Sequence, residues 1–261
     1  ILTTVIVVIL DKRDPTKAML WVVVLVMLPI AGLLLYFFFG QNLRRKHIFK
    51  RKKRVDNSYL NEETIPSGII YADSESALES VAAYRHVAQL LLNNSLTPVI
   101  GGNDVKLFHE GHSAFQQIIT DLERAQRLIH LEYFIFRADH LGQRIAEILI
   151  RKAQAGVDVR VIYDAVGSWG IPKRFIKELR NNGVQIYPFQ KVIFPYLSSR
   201  LNYRNHRKIL VIDGEIAHMG GMNIADKYIE GDPVLGAWHD TQIRINGPAV
   251  SALHLVFLTD W

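Results

Sequence analysis

The hydrophobic pattern at the start of the chain differs from the pattern that follows it. Residues 18–39 are 22 successive positions without a charged side chain. A helix of that length would extend about 33 Å, enough to cross the hydrocarbon core of a bilayer. The shorter apolar run at 1–10 is interpreted as the end of a preceding spanning helix, with the core of a signal peptide as the alternative. We therefore predict a transmembrane helical hairpin over residues 1–40, whose first helix is truncated.

A polar stretch separates this hairpin from the rest of the chain. Residues 41–97 are interpreted as a basic juxtamembrane segment, a linker over 56–68 and a helix over 74–93. The helix is predicted from apolar residues that recur at helical spacing. We expect this helix to pack on the domain that follows.

From residue 98 onward, short apolar strands alternate with helices. Gly156 and Gly183 mark helix ends, and the Asp213-Gly214 turn joins two strands in a hairpin. The pattern predicts strands at 105–109, 128–136, 157–163, 184–188, 208–212, 216–219 and 242–245, and helices at 114–125, 141–155, 172–182 and 248–258. This order predicts an α/β fold, with a layered domain over residues 98–261.

The composition narrows the class of protein. Hydrophobic residues make up 49% of the 261 residues and charged residues 21%, which supports a packed core and excludes a wholly disordered chain. The sequence contains no cysteine. This excludes a disulfide scaffold, a thiolate nucleophile and a cysteine zinc site.

The net charge of +6 is concentrated beside the apolar run. Residues 1–54 contain 11 Lys and Arg and 2 Asp and Glu, so they carry +9, whereas the other residues carry −3. Basic side chains beside a spanning helix indicate a membrane surface with anionic phospholipid, not a nucleic-acid partner, and they place the following domain in the cytoplasm. The sequence thus predicts a multi-pass protein of the cell membrane.

One stretch carries the residue types of phosphodiester chemistry. His206 and Lys208 are two positions apart in a strand pattern, so their side chains are expected to project from the same face. An imidazole can attack phosphorus, and a fixed ammonium can stabilise the charge that develops on the phosphate. The alternative is an ordinary basic strand followed by a turn aspartate.

The residues from His206 to Asn223 resemble the His-x-Lys-x4-Asp-x6-Gly-(Gly or Ser)-x-Asn signature, called HKD, of the phospholipase D superfamily, with Gly221 where some members have Ser. Nearly the whole chain resembles one bacterial branch, the cardiolipin synthases. The similar positions include the paired apolar N-terminal segment, the strand Leu131-Glu132-Tyr133, the strand end at Tyr163-Asp164, and Trp238-x-Asp240-Thr241. The resemblance implies a phospholipase D-like layered α/β domain.

The resemblance also implies a role for each matching residue. His206 would be the nucleophile and Lys208 a phosphate ligand beside it. Asp213 matches the aspartate of the signature and is therefore included among the catalytic residues. Side chains alternate between the two faces of a strand, so Asp213 is expected to point away from His206, which favours a structural role. The implied substrate-binding positions are Gly221, Asn223, which would hold the phosphate, and Asp240, whose carboxylate would orient the imidazole.

The implied activity is phosphatidyl transfer between two phosphatidylglycerol molecules, which gives cardiolipin and glycerol through a phosphohistidine intermediate. The resemblance implies no metal and no organic cofactor. The family carries two HKD signatures and this chain contains one, so a C-terminal half with the second signature, or a second copy, is the expected partner. The alternatives are a phospholipase D, a phosphatidylserine synthase, or a non-catalytic membrane scaffold with this fold.

Four other positions and one segment remain open from the sequence. Glu132 lies either behind the site or towards solvent, and Asp164 ends a strand where a pocket could form. His130 and His218 are interpreted as satisfied core or surface histidines. The segment 186–204 mixes aromatic and basic residues, and it either enters the lipid interface or packs on the missing half.

Overall fold

The computed structural model of the chain describes residues 15–36, 81–95, 99–189, 204–232, 234 and 236–261. The chain divides into two compact units, Ile1–Leu60 and Asn61–Trp261. Several predicted features lie outside the described residues. These are the apolar run at 1–10, the basic positions at 44–54, the linker at 56–68, the start of the helix at 74–93 and most of the segment 186–204.

The first unit contains two short helices, α1 (Pro15–Met27) and α2 (Pro29–Leu35). The prediction of one uninterrupted helix over 18–39 is therefore wrong. Leu28 breaks the helix with φ −129° and ψ 74°. Proline lacks a backbone N–H, and its ring disfavours the helical conformation at the preceding residue, which explains a break beside Pro29.

The break folds α2 back along α1. The rings of Trp21 and Tyr36 meet edge to face with their centroids 5.4 Å apart, whereas fifteen residues of straight helix would separate them by about 22 Å. Gly32 lies so close to α1 that a Cβ there would come within 2.7 Å of the Val24 carbonyl oxygen. None of the helices in the described ranges has the length and apolar character needed to span a membrane.

The second unit is built on one sheet. In the described part of the chain, seven strands are arranged in the order β1-β7-β6-β5-β2-β3-β4. The pairs β2–β3 and β3–β4 are parallel and the other pairs are antiparallel. The strands are β1 (Asp104–Phe108), β2 (Leu128–Tyr133), β3 (Asp158–Asp164), β4 (Gln185–Phe189), β5 (Lys208–Ile212), β6 (Ile216–Gly220) and β7 (Gln242–Asn246).

The helices of this unit are α3 (Arg85–Ser95), α4 (Gly111–Arg124), α5 (His140–Gln154), α6 (Lys173–Asn181), α7 (Lys227–Glu230) and α8 (Val250–Asp260). From residue 98 onward, every predicted strand and helix corresponds to an observed element, with ends that differ by at most three residues. The sequence missed α7, because four residues are too few to show helical periodicity.

Helices cover both faces of the sheet. α4, α5 and α6 pack on one face around Phe115 and Ile145, and α8 packs on the other face around Val250. β5 is buried along its whole length, because Leu210 belongs to the first core and Val211 to the second. The predicted layered α/β domain is confirmed.

The register of the central strands locates one edge of the sheet. Tyr133 at the end of β2 pairs with Lys208 at the start of β5 and with Tyr163 near the end of β3. The carboxyl ends of the parallel strands therefore meet the start of β5. Binding sites of α/β sheets commonly lie at such an edge.

His130 and His218 are both in the core, one of the two locations that the sequence allowed. Nδ1 of His130 lies 2.9 Å from Nε2 of His254 on α8, and the His130 ring stacks on Phe257 with centroids 4.7 Å apart. Burial lowers the pKa of His130 to about 4. The ring is therefore neutral at pH 7, and it ties α8 to β2.

A buried ion network joins α4 to the sheet. Asp121 lies 2.8 Å from Nε2 of His218 and accepts hydrogen bonds from Nε (2.8 Å) and Nη2 (3.3 Å) of Arg244. Burial raises the pKa of Asp121, but the hydrogen bonds and charges of His218 and Arg244 outweigh it and lower the pKa to about 2. The carboxylate is therefore ionised at neutral pH.

Replacing Asp121 with asparagine is expected to reduce the free energy of unfolding by about 3–5 kcal/mol, because the charge of Arg244 loses its buried partner. Urea unfolding of the two proteins at pH 7 measures this difference. The difference should narrow as the pH falls from about 4 towards 2, since the wild-type carboxylate then binds a proton. An equal stability at pH 7 would contradict the prediction.

Candidate active site

His206 and Lys208 meet at the edge of the sheet described above. Lys208 begins β5 and is buried, with 3% of its surface exposed, whereas His206 lies just before the strand and is exposed. Nζ of Lys208 donates to Nδ1 of His206 over 2.9 Å and to the His206 carbonyl oxygen over 2.7 Å. The prediction that the two side chains project together is confirmed.

An aromatic ring supports this pair. The ring of Phe134 lies beside that of His206, with centroids 4.3 Å apart, and Nζ of Lys208 is 5.2 Å from the Phe134 centroid, within the range of a cation–π interaction. A Cβ at Gly167 would come within 2.6 Å of the Phe134 ring. Sequence reasoning missed Phe134, since nothing in its local pattern distinguishes it from a core residue.

The two side chains shift each other's protonation. Burial, and secondly the Lys208 ammonium, lower the pKa of His206, while Asp164 acts in the opposite direction. The imidazole is therefore predominantly neutral at pH 7. The lone pair of the neutral ring lies on Nδ1, where it accepts the Lys208 hydrogen bond, so it becomes a nucleophile when the ammonium turns to a phosphate oxygen. Burial lowers the pKa of Lys208 to about 8, against the charge of Asp240. Lys208 thus remains mostly charged at pH 7.

Gly221 and Asp240 are in direct contact. A Cβ at residue 221 would overlap the Asp240 carboxylate as it is placed here, so a larger residue would require that carboxylate to move. The Asp240 carboxylate accepts the N–H of Thr241 over 2.7 Å, and its charge raises the pKa values of Lys208 and Tyr228. Between the described Asp240 and His206 no hydrogen bond is formed, and Nδ1 of His206 faces Lys208 instead. The predicted orientation of the imidazole by Asp240 is not seen.

Asn223 is buried, with 3% of its surface exposed. Its Oδ1 accepts the backbone N–H of Ile135 over 2.9 Å, and its Nδ2 donates to the hydroxyl of Tyr228 over 2.5 Å. An amide nitrogen has two hydrogens, so these two hydrogen bonds leave one N–H of Asn223 unused, and its predicted contact with phosphate stays a prediction. Tyr228, which holds this amide, belongs to the unpredicted helix α7 and carried no sequence signal.

Asp213 lies at the opposite end of β5 from His206. The five residues of the strand separate the two ends by about 16 Å. The Asp213 carboxylate accepts backbone N–H groups of Gln126 (2.9 Å), Arg127 (2.6 Å) and Leu128 (2.9 Å). The catalytic role carried over from the signature is therefore corrected: Asp213 fixes the hairpin turn to the start of β2, as strand parity suggested.

The two carboxylates that the sequence left open are both buried beside the residue that precedes His206. Nδ2 of Asn205 donates to Glu132, which is 1% exposed, so the solvent-facing alternative is wrong. The backbone N–H of Asn205 donates to Asp164 over 3.0 Å. No cluster of three or more His, Asp and Glu side chains suited to a metal ion occurs in the residues that the structure describes.

A layered α/β sheet with a histidine–lysine pair at its edge defines a phospholipase D-like domain. The chain belongs to the family described as cardiolipin synthase, PLD-like domain, whose model matches residues 118–252. A second model, described as phospholipase D-nuclease N-terminal, matches residues 1–41.

Curated proteins with similar sequences carry the name cardiolipin synthase. A cardiolipin synthase of Geobacillus sp. (strain WCH70) is 41% identical over 97% of the chain and 49% of its own length. One of Halalkalibacterium halodurans is 39% identical over 98% of the chain and 50% of its own length. The chain thus spans about half the length of these relatives.

Among solved structures, the phospholipase D family member Nuc from Salmonella typhimurium matches 61% of this chain and 95% of its own, with 18% identity and a TM-score of 0.47. The family membership rests on the family model and the curated relatives.

Proposed function

We propose that the protein containing this chain is a membrane-anchored cardiolipin synthase, which transfers a phosphatidyl group from one phosphatidylglycerol to another. The observation that carries the proposal is the contact between Nζ of Lys208 and Nδ1 of His206, 2.9 Å apart at the edge of the sheet. This contact brings together a predominantly neutral imidazole and a buried ammonium. This pair suits attack on an anionic phosphodiester.

The reaction proceeds in two displacements at phosphorus. In the first, the Lys208 ammonium turns from Nδ1 of His206 to a phosphate oxygen, and the freed Nδ1 forms a bond to phosphorus. The bond from phosphorus to the glycerol oxygen breaks, and that oxygen takes a proton and leaves as glycerol. In the second, a hydroxyl of another phosphatidylglycerol attacks the phosphatidyl-histidine, loses its proton, and displaces the imidazole. Lys208 and the remaining N–H of Asn223 stabilise the negative oxygens in both steps.

The proton in each step requires a second group, because the His206 ring is engaged with phosphorus. We assign this acid and base to the second HKD signature of a C-terminal half, or to a second copy of the chain. Two observations support the assignment: the chain carries one signature, and it spans about half the length of its curated relatives.

Membrane anchorage by residues 1–40 is part of the proposal. Large apolar side chains are exposed on α1 and α2, among them Met19 (71%), Met27 (75%) and Ile30 (82%). Exposed apolar surface of this kind is typical of a membrane or protein contact. The eight basic residues at 44–54 support a cytoplasmic position for the catalytic unit and an attraction to anionic phospholipid.

Product analysis of the full-length protein with phosphatidylglycerol labelled in the terminal glycerol and in the phosphate tests this function. We expect labelled cardiolipin and one free glycerol for each cardiolipin formed. Phosphatidic acid as the main product would instead indicate a phospholipase D, and phosphatidylserine formed on adding serine or an activated phosphatidyl donor would indicate a phosphatidylserine synthase. No turnover of any of these substrates by intact, folded protein would favour the scaffold.

A further inference from the structure

Asn205, the residue before His206, is buried and uses all of its side-chain polar groups. Its Nδ2 donates to Glu132 and, over 3.2 Å, to Asp260, and its Oδ1 accepts the N–H of Arg207 over 3.1 Å. Its backbone N–H donates to Asp164 over 3.0 Å. An amide has two N–H groups and one oxygen to offer, and each of them is engaged here.

The partners of Asn205 come from three different elements. Glu132 is near the end of β2, Asp164 ends β3, and Asp260 ends α8. Asp164 is itself fixed, because it accepts the backbone N–H groups of Val166 (2.9 Å) and Gly167 (2.8 Å). We call Asn205 with these three carboxylates the Asn205 clamp. It fixes one point of the chain against two neighbouring strands of the sheet and the helix α8.

The clamp acts on His206 through the backbone. The bond from the Arg207 N–H to Oδ1 of Asn205 closes an Asx turn, and His206 is the residue enclosed by that turn. Fixing the backbone on both sides of His206 fixes the direction of its Cα–Cβ bond. The ring is then held between Phe134 and Nζ of Lys208.

We propose that Asn205 is a positioning residue, which holds the His206 imidazole in line for attack on phosphorus through its hydrogen bonds to Glu132, Asp164 and Asp260. The inference rests on the proposed role of His206 as nucleophile. Misplacing a reacting group by about 1 Å can cost about 10²-fold in rate. The clamp therefore affects the chemical step more than it affects substrate binding.

Two of these carboxylates also have basic partners, since Asp164 lies 3.4 Å from Nη1 of Arg204 and Asp260 pairs with Arg207. Buried charged groups need hydrogen bonds and rarely improve stability over apolar residues of similar size. Glu132, Asp164 and Asp260 are all buried and all converge on one amide beside the nucleophile. A rigid polar support behind a reactive side chain is what orients such a group.

The test exchanges the donor and the acceptor in one hydrogen bond. Asn205→Asp keeps an oxygen for the N–H of Arg207 but places a carboxylate against Glu132 and Asp260. In the full-length protein we expect kcat to fall by about 10²-fold and KM for phosphatidylglycerol to change by less than about threefold. The double variant Asn205→Asp with Glu132→Gln restores one donor and one acceptor, and we expect it to recover at least about tenfold in kcat.

Asp121→Asn is the matched control, because it disrupts a buried ionic network that does not contact His206. It should lower stability without reducing kcat of the folded enzyme by more than about threefold. If Asn205→Asp fails to fold, two other variants replace it: the double variant, and Asp260→Asn, which removes one acceptor charge from the clamp. The kcat and the stability of each are then compared with those of Asp121→Asn.

Three results would overturn the proposal. They are a kcat within threefold of wild type in Asn205→Asp, a kcat loss equal to that of Asp121→Asn at equal loss of stability, or a double variant that recovers stability and not kcat. The rate at which His206 forms a covalent adduct with a phosphodiester substrate is measured for each variant together with kcat. A wild-type enzyme that forms the adduct but no cardiolipin would contradict the proposed function and leave the positioning role of Asn205 intact.

Discussion

Replacing His206 with alanine is expected to reduce phosphatidyl transfer in the full-length enzyme by more than about 10⁴-fold. The physical reason is that the imidazole forms the bond to phosphorus, and none of the described side chains that contact it, Phe134 and Lys208, can replace it as the nucleophile. Lys208 and Asn223 would still bind the phosphate, so KM should change far less than kcat. The measurement is the rate of cardiolipin formation from labelled phosphatidylglycerol.

The covalent intermediate gives a second measurement of the same substitution. Rapid quenching during turnover, followed by peptide mass spectrometry, should locate a phosphatidyl adduct on His206 in the wild-type enzyme and find none in His206→Ala. His140→Ala is the matched control. This histidine at the start of α5 is exposed, and its hydrogen bond to Asp226 is donated by its backbone N–H, which alanine keeps. An adduct on a histidine outside this chain that persists in His206→Ala would show that nucleophile and acid are reversed.

Replacing Lys208 with alanine is expected to slow transfer by at least about 10²-fold, or about 3 kcal/mol, as for other preorganised groups that stabilise developing charge. The wild-type rate should also fall as the pH rises through about 8, because burial lowers the pKa of Lys208 to that value. Below this pH the ammonium is present and active; above it the ammonium is lost. A pH–rate profile from 6 to 10 measures the effect.

Lys208→Arg separates charge from the rest of the lysine's role. A guanidinium stays protonated throughout this pH range, so the fall near pH 8 should disappear even if the rate is lower overall. Lys177→Ala, at an exposed lysine on α6, is the control and should leave the profile unchanged. A fall near pH 8 that persists in Lys208→Arg would assign it to another group.

From residue 98 onward, every element except α7 followed directly from local pattern. β5 was predicted with its observed bounds, because its apolar run is flanked by the basic residues at 206–208 and by the Asp213-Gly214 turn. The pairing of His206 with Lys208 was predictable for the same reason. Two residues separated by one position in an extended chain share a face whatever the rest of the fold does.

Local pattern did not show where the chain turns in three dimensions. An uncharged stretch predicted one long helix, but Pro29 divides it and α2 folds back on α1. The signature likewise grouped Asp213 with His206 because the two are close in sequence. The length of β5 puts it at the far end of the strand, where it accepts three backbone N–H groups.

The sequence by itself thus determined the fold class, the strand that begins at Lys208, and the projection of His206 and Lys208 to the same side. Only the tertiary structure decided what surrounds the imidazole. Asn205 meets Asp164, Asp260 and Glu132 across sequence separations of 41, 55 and 73 residues. Periodicity shows which way a side chain points along its own strand, whereas the order of strands in the sheet decides which distant side chains it meets, and no local pattern contains that order.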